Sequence, residues 1–206
     1  MARFGLAIDL EACIGCHTCS VACKTANNLP NNMWWCNIHT VGGDAMDSSE
    51  GTYPNAKLSY LPVNCQHCEN PACVAACPTG ASFKREDGIV CIDTDKCIGC
   101  RACMAACPYE GVRSYNSEEP EYYVEFALGA ADAPKHVYNT VEKCNLCVSR
   151  VERGEVPYCV EACPARARIF GDLDDPESDV SKAIAERENM RLLEEKGTEP
   201  KVYYLV

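Results

Sequence analysis

The 206-residue chain is poor in the usual materials of a globular core: aromatics make up 8% of it, with four Phe and two Trp, and Leu and Ile are sparse. It has no run of about 18 apolar residues, the length that crosses a bilayer as a helix, so no direct membrane span is expected. Basic residues are also short, with 19 Lys and Arg against 30 Asp and Glu and a net charge of −11. That balance excludes nucleic acid as a partner, since phosphate must be neutralised by a basic patch. It also argues against an anionic membrane surface. Asp9 and Glu11 interrupt the apolar N-terminal stretch and no twin-arginine pair precedes it, so no secretory signal is expected. No Ser/His/Asp set, glycine-rich phosphate loop or paired-carboxylate site stands out. Asp172 to Glu199 holds ten acidic and four basic residues, and Asn116 to Glu142 six and one. Both segments read as solvated, loop-rich surface.

Cysteine, by contrast, is abundant: 18 residues, of which 16 fall into four groups of four. Group one is Cys13, Cys16, Cys19 and Cys23; group two is Cys65, Cys68, Cys73 and Cys77. Group three is Cys97, Cys100, Cys103 and Cys107; group four is Cys144, Cys147, Cys159 and Cys163. Groups one and three share the spacing C-x2-C-x2-C-x3-C and match at seven of eleven positions. Pro71–Ala81 and Pro157–Ala167, the second halves of groups two and four, also match at seven of eleven. The order is therefore A-B-A-B, an internal repeat of a two-group unit. Pro78, Pro108 and Pro164 follow the last Cys of groups two, three and four; Lys24 holds that place in group one.

This spacing is that of bacterial ferredoxins. A cubane needs thiolates from four directions. Three closely spaced Cys wrap three iron corners, and the fourth, carried into a helix, points to a partner cluster. Four groups thus imply four 4Fe-4S clusters. Nineteen residues separate Cys77 from Cys97, against 41 between groups one and two and 36 between groups three and four. The short link contains a hairpin signal around Glu86-Asp87-Gly88. Groups two and three are paired on that ground, and groups one and four pair across the chain ends. The expected ligand sets are Cys13, Cys16, Cys19 and Cys163 for cluster 1; Cys23, Cys144, Cys147 and Cys159 for cluster 2. They are Cys65, Cys68, Cys73 and Cys107 for cluster 3, and Cys77, Cys97, Cys100 and Cys103 for cluster 4.

The expected fold is α+β: two ferredoxin-like modules with loop insertions. One spans residues 1–56 with 140–206, the other residues 57–115, and residues 116–139 form an acidic insertion. Helices are expected at Thr18–Ala26, Ala102–Ala106 and Val180–Arg191, the last capped by Ser178 or Asp179. Strands are expected at Gly5–Asp9, Leu58–Val63, Ile89–Asp93 and Ala167–Phe170. Backbone N–H groups in the cysteine turns should point at the cluster.

Rival uses of the cysteines are weaker. Structural zinc sites favour two CxxC pairs a dozen or more residues apart, not four Cys in eleven positions. Cys13-Ile-Gly-Cys16-His17 matches a c-type haem pattern, but Arg101 takes the His place in the repeat, so the His is incidental. Cys36 and Cys91 are read as small buried hydrophobes. Trp34 and Trp35 serve either as an interface anchor or in packing. His39, His67 and His136 have no constellation around them.

With these groups in hand, the chain resembles the iron–sulfur electron-transfer subunit (beta subunit) of the dimethyl sulfoxide reductase, or molybdopterin oxidoreductase, superfamily. Cys13–Cys23, Cys65–Pro78, Cys97–Pro108 and Cys144–Pro164 carry the resemblance. Gly171-Asp172-Leu173-Asp174-Asp175-Pro176 and the terminal Val202-Tyr203-Tyr204-Leu205 place it nearest the polysulfide and arsenate reductase branch. The resemblance implies a non-catalytic subunit, active in anaerobic respiration, that passes electrons to a partner catalytic subunit holding molybdopterin, often from a quinol-linked membrane anchor. The module of groups one and four would face the catalytic subunit. Nitrate-reductase relatives lack the second Cys of group three and hold a three-iron cluster there; Cys100 is present here. The resemblance also implies assembly in the cytoplasm and export, folded, with a twin-arginine partner to the outer face of the membrane; the alternative is a cytoplasmic protein. The alternative function is a ferredoxin-like subunit of a hydrogenase or formate dehydrogenase, or a freestanding polyferredoxin.

Overall fold

The computed structural model describes residues 2–206. Strand β1 is Phe4–Asp9 and helix α1 Thr18–Ala26; β2 (Cys36–Val41) and β3 (Ser59–Asn64) follow. Next come α2 (Ala72–Ala75), β4 (Ser82–Lys84), β5 (Val90–Ile92) and α3 (Ala102–Ala105). The second half runs β6 (Arg113–Tyr115), β7 (Val141–Lys143), α4 (Val148–Glu152), α5 (Tyr158–Glu161) and β8 (Arg168–Asp172). It closes with α6 (Asp179–Glu186), β9 (Asn189–Met190), a 3-10 turn at Glu194–Lys196 and β10 (Val202–Leu205). The mixture is α+β, and among the described residues no helix is long and apolar enough to cross a membrane.

The strands form a closed cycle around the cysteine groups. Antiparallel pairs β2–β3, β4–β5 and β6–β7 join groups one to two, two to three and three to four. The fourth link, β8 back to β1, crosses the chain ends with Ile8 opposite Arg168 and Leu6 opposite Phe170. β10 then lies parallel to β1, Leu6 beside Val202, and β9 completes a sheet of order β8-β1-β10-β9.

Helix lengths follow from one residue each. Proline cannot continue a helix, because it lacks the N–H and its ring clashes with the preceding turn. The helices α2, α3 and α5, which precede Pro78, Pro108 and Pro164 by two or three residues, are four residues long. Lys24 lets α1 run to nine. Its ammonium then donates to the carbonyls of Pro30 at 2.6 Å, and Asn31 and Met33 at 3.0 Å, fixing the loop that follows.

The helix expected at Val180–Arg191 is shorter than its pattern suggests. Ser178 caps it as expected, accepting from the Ser181 N–H at 3.2 Å, but α6 stops at Glu186. Arg187 turns extended and binds Asp9 and Glu11, while Asn189 and Met190 join the sheet beside β10. Those tertiary contacts outweigh a helical preference worth tenths of a kcal/mol per residue.

The apolar core sits on this sheet. Leu6, Ile8, Ile89, Leu146, Val202 and Tyr204 pack on one side, and Ala7, Val180 and Leu205 on the other. Full burial of such a side chain contributes roughly 1.5–3 kcal/mol. Elsewhere cysteine takes the core position: Cys73 and Cys103 pack with Val90 and Val141, and Cys68 with Val63, Tyr109 and Val112. Trp35 is buried among Leu29, Met33, Ile38 and five of the group cysteines, so packing is its role; Trp34 stays half-exposed under the Lys24 ammonium, 4.6 Å from its ring.

Candidate metal centres

Each cysteine turn is set by residues in the left-handed region. Gly15 (φ 66°) and His17 (φ 57°) in group one match Gly99 (φ 68°) and Arg101 (φ 59°) in group three. Groups two and four repeat the device with His67 (φ 43°) and Leu146 (φ 56°). His17 therefore serves as a turn residue equivalent to Arg101. A methyl at Gly15 would lie 2.2 Å from the Tyr60 ring and one at Gly99 2.3 Å from the Asn139 carbonyl. Conformation favours glycine at both, and at Gly99 space does too, because the atom met there is backbone.

Helix packing brings the groups together in two pairs. α1, from group one, packs on α5, from group four; α2 packs on α3, uniting groups two and three. Cys13, Cys16, Cys19 and Cys163 line one recess, with about 350 Å³ of non-atom space including open solvent. Cys77, Cys97, Cys100 and Cys103 line another of about 320 Å³. Of the remaining cysteines, Cys23, Cys144 and Cys159 share one buried cluster, and Cys107 packs against the cluster of Cys68. Burial, then the thiols of Cys144, Cys159 and Cys147, push Cys23 up. Burial raises Cys107, opposed by a backbone N–H, with Cys65 and Cys73 adding to the rise; Cys68 is pushed up to about 11 by burial and the same two neighbours. Among the described residues no three Cys, His, Asp or Glu converge tightly enough to grip a single ion. Thiols spread around a larger space fit a polynuclear group.

These surroundings also suit a negatively charged sulfur-ligated group. Backbone N–H groups donate to Cys77 from Ser82 at 3.3 Å, to Cys97 from Val141 at 3.4 Å and to Cys144 from Leu146 at 3.4 Å. Charge-assisted donation of this kind stabilises thiolate. Burial opposes ionisation of Cys65, yet His67, Lys143 and Arg113 hold it well below the usual thiol range.

Cys19, Cys159, Cys65 and Cys144 share one buried cluster and Cys73 and Cys103 another, so members of neighbouring expected sets pack together. Cys16 and Cys100 are exposed, and so are their neighbours Ile14 and Ile98. The cysteines expected at sites 2 and 3 are mostly buried.

Several residues had no role in the sequence reading. Arg168, Arg113 and Lys143 are 4%, 6% and 3% exposed. Their hydrogen bonds, among the described residues, go to thiol, amide, hydroxyl and carbonyl groups and to no carboxylate. Cys36 is buried as expected but is more than filler: it accepts from Arg168 at 3.2 Å. It packs in one buried cluster with Cys19 and, with Arg168, brings that thiol down to about 5 against the effect of burial. Cys91 is only partly buried, on β5. His39 is exposed, whereas His67 is buried and accepts from the Val90 N–H at 3.1 Å. Charged residues at strand ends, one to six positions from a group cysteine, were the available signal.

Comparison with known proteins gives the class first: 4Fe-4S dicluster domains match residues 6–78, and residues 56–121 with 131–173. The chain is 51% identical over its whole length to a putative dimethyl sulfoxide reductase iron-sulfur subunit of Halobacterium salinarum, covering 79% of that protein. It is 39% identical to the arsenate respiratory reductase iron-sulfur subunit ArrB of a Shewanella species, over 98% of this chain and 96% of the relative. Identity to one of the polysulfide reductase chains of Wolinella succinogenes is 36%, over 98% and 93%. The chain thus belongs to the iron–sulfur electron-transfer subunits of dimethyl sulfoxide reductase-type oxidoreductases. That membership favours an electron-transfer subunit over a hydrogenase-type or freestanding ferredoxin.

Proposed function

We propose that this chain holds four 4Fe-4S clusters in a row and conducts electrons between a donor and a molybdopterin catalytic subunit, without catalysing a substrate reaction itself. What supports the reading is the recess lined by Cys13, Cys16, Cys19 and Cys163 and the one lined by Cys97, Cys100, Cys103 and Cys77, each with three members of one group and one from its partner. The ligand sets are Cys13, Cys16, Cys19, Cys163; Cys23, Cys144, Cys147, Cys159; Cys65, Cys68, Cys73, Cys107; and Cys77, Cys97, Cys100, Cys103. The clusters, when bound, supply one-electron redox centres. The protein holds their thiolates, aims N–H groups at sulfur and keeps water from the middle sites. Electrons enter and leave where Cys16 and Cys100 reach the surface.

The module boundaries are residues 1–56 with 140–206, and 57–115, with 116–139 as an insertion. Consistent with this, residues 116–139 form no helix or strand and lie against the end of α1, where Ala130 donates to the Ala26 carbonyl at 2.9 Å. The relatives are by name single subunits of reductases, which supports a catalytic partner. A membrane anchor, and export of the assembled complex with a twin-arginine partner, complete the proposal.

Anaerobically purified protein should contain about sixteen iron and about sixteen acid-labile sulfide. Cys100→Ser should damage one site and spare three. A preparation with about four zinc and no sulfide, or unchanged spectra in Cys100→Ser, would overturn the reading.

A further inference from the structure

Arg113 and Arg168 occupy unrelated places in the sequence and related places in the repeat. Arg113 begins β6 and lies opposite Lys143, the residue before Cys144. Cys36 begins β2 and lies opposite Asn64, the residue before Cys65. Arg168 begins β8 and pairs with Ile8, five residues before Cys13; Ser82 begins β4 and pairs with Ile92, five before Cys97. Arg113 and Cys36 are thus counterparts, and so are Arg168 and Ser82. Each arginine reaches the other's counterpart. Arg113 Nη2 donates to Ser82 Oγ at 3.4 Å, and Arg168 Nη2 to Cys36 Sγ at 3.2 Å. Each pair of cluster sites therefore receives one guanidinium, supplied from opposite sides of the repeat.

Both charges are set between sites. Arg168 Nη1 faces Cys159 of site 2 at 3.9 Å, and through Cys36 its other nitrogen reaches the partner of Cys19 in site 1. Arg113 bonds Ser82, whose N–H holds Cys77 of site 4, and its charge is felt by Cys73, Cys65 and Cys107 of site 3. Among the described residues Arg113 Nη1 has no hydrogen-bond partner. A buried cation with no anion is costly, and the anion it needs is the thiolate-bound cluster. Reduction adds one electron, hence one negative charge, to such a site. A guanidinium remains protonated throughout, so it stabilises the added charge without taking up a proton.

We propose that Arg168 and Arg113 are the counter-charges of the two cluster pairs, each raising the reduction potential of both clusters in its own half. The proposal rests on the four-cluster reading. The test is an EPR-monitored redox titration of the full-length chain, purified anaerobically, with the Cys100→Ser variant marking the signal of site 4. Wild type must first show four titrating centres; if it does not, the four-cluster reading fails before any arginine is compared. Arg168→Gln should then move two midpoints to lower potential and leave two in place. Arg113→Gln should move the complementary two, and Arg→Lys at either position should restore them. The exposed Arg153→Gln should move none. Unmoved midpoints at full iron content, or equal movement of all four, would overturn the proposal. If a Gln variant loses the iron of its half, the Lys variant decides: iron kept with Lys supports a role for charge, and iron lost with Lys assigns the guanidinium a packing role and overturns it.

Discussion

The half that packs α1 on α5 and the half that packs α2 on α3 hold their thiols by different means. The first leans on a four-stranded sheet and on α6, with Leu6, Ile8, Val180, Val202, Tyr204 and Leu205 all at 1% exposure or less. The second has three-residue strands β4 and β5, and its core clusters count Cys68, Cys73 and Cys103 among few aliphatic members. Repeating a cysteine pattern repeats the ligand turns but not the scaffold behind them. In the second half the bound group is itself a large part of what the chain folds around, a coupling familiar from metal-dependent domains.

Removing one ligand from each half should break this comparison open. Cys73→Ser is expected to cost both sites of the second half, about half of the iron, and to leave that half open to protease. Cys159→Ser should cost about a quarter of the iron, with the sheet still protected. Iron content and limited proteolysis read both outcomes; equal loss from the two variants would show that the sheet lends no independent support.

The two equivalent glycines sharpen the contrast at smaller cost. A left-handed non-glycine residue costs about 1–2 kcal/mol, and Gly15→Ala should cost little more, since the atoms it meets belong to the Tyr60 side chain, which can swing away. Gly99→Ala meets a backbone carbonyl, that of Asn139, and should cost about 1–3 kcal/mol in addition. The rate of iron loss to a chelator should therefore rise more in Gly99→Ala than in Gly15→Ala.

The ligand turns were legible in the sequence because wrapping one cubane leaves little freedom in spacing, and α1 because Thr18–Ala26 carries no proline. The scaffold was not. β1 and β10 pair across nearly the whole chain, with Leu6 beside Val202, and no local pattern announces that. β2, β6 and β7 were missed, the last two having three residues each. Arg113, Lys143 and Arg168 passed unremarked because a charge in a short strand reads as an outward-facing residue. Their burial makes sense only once thiols from distant groups are known to surround them. Cys36 was taken as filler for the same reason: its partners Cys19 and Arg168 lie 17 and 132 positions away.

The smallest expected effect concerns a link between the acidic segment and α1. His136 is buried, with Nδ1 on Glu142 and Nε2 2.9 Å from the Asn27 carbonyl. Both neighbours are acceptors, so protonation of the ring lets both nitrogens donate. Burial opposes that charge, but Glu142 and the Asn27 carbonyl outweigh it and raise the pKa above its ordinary 6.5. A group with a raised folded-state pKa contributes stability in full below its unfolded value and loses it as pH rises through the folded value. His136→Gln should thus destabilise the fold by about 1 kcal/mol more at pH 6 than at pH 9. Paired denaturant titrations of wild type and variant at the two pH values measure the difference. A gap that widens with pH would mean that the ring is neutral and that Glu142 is held by the Asn116 amide, 2.6 Å away, without it.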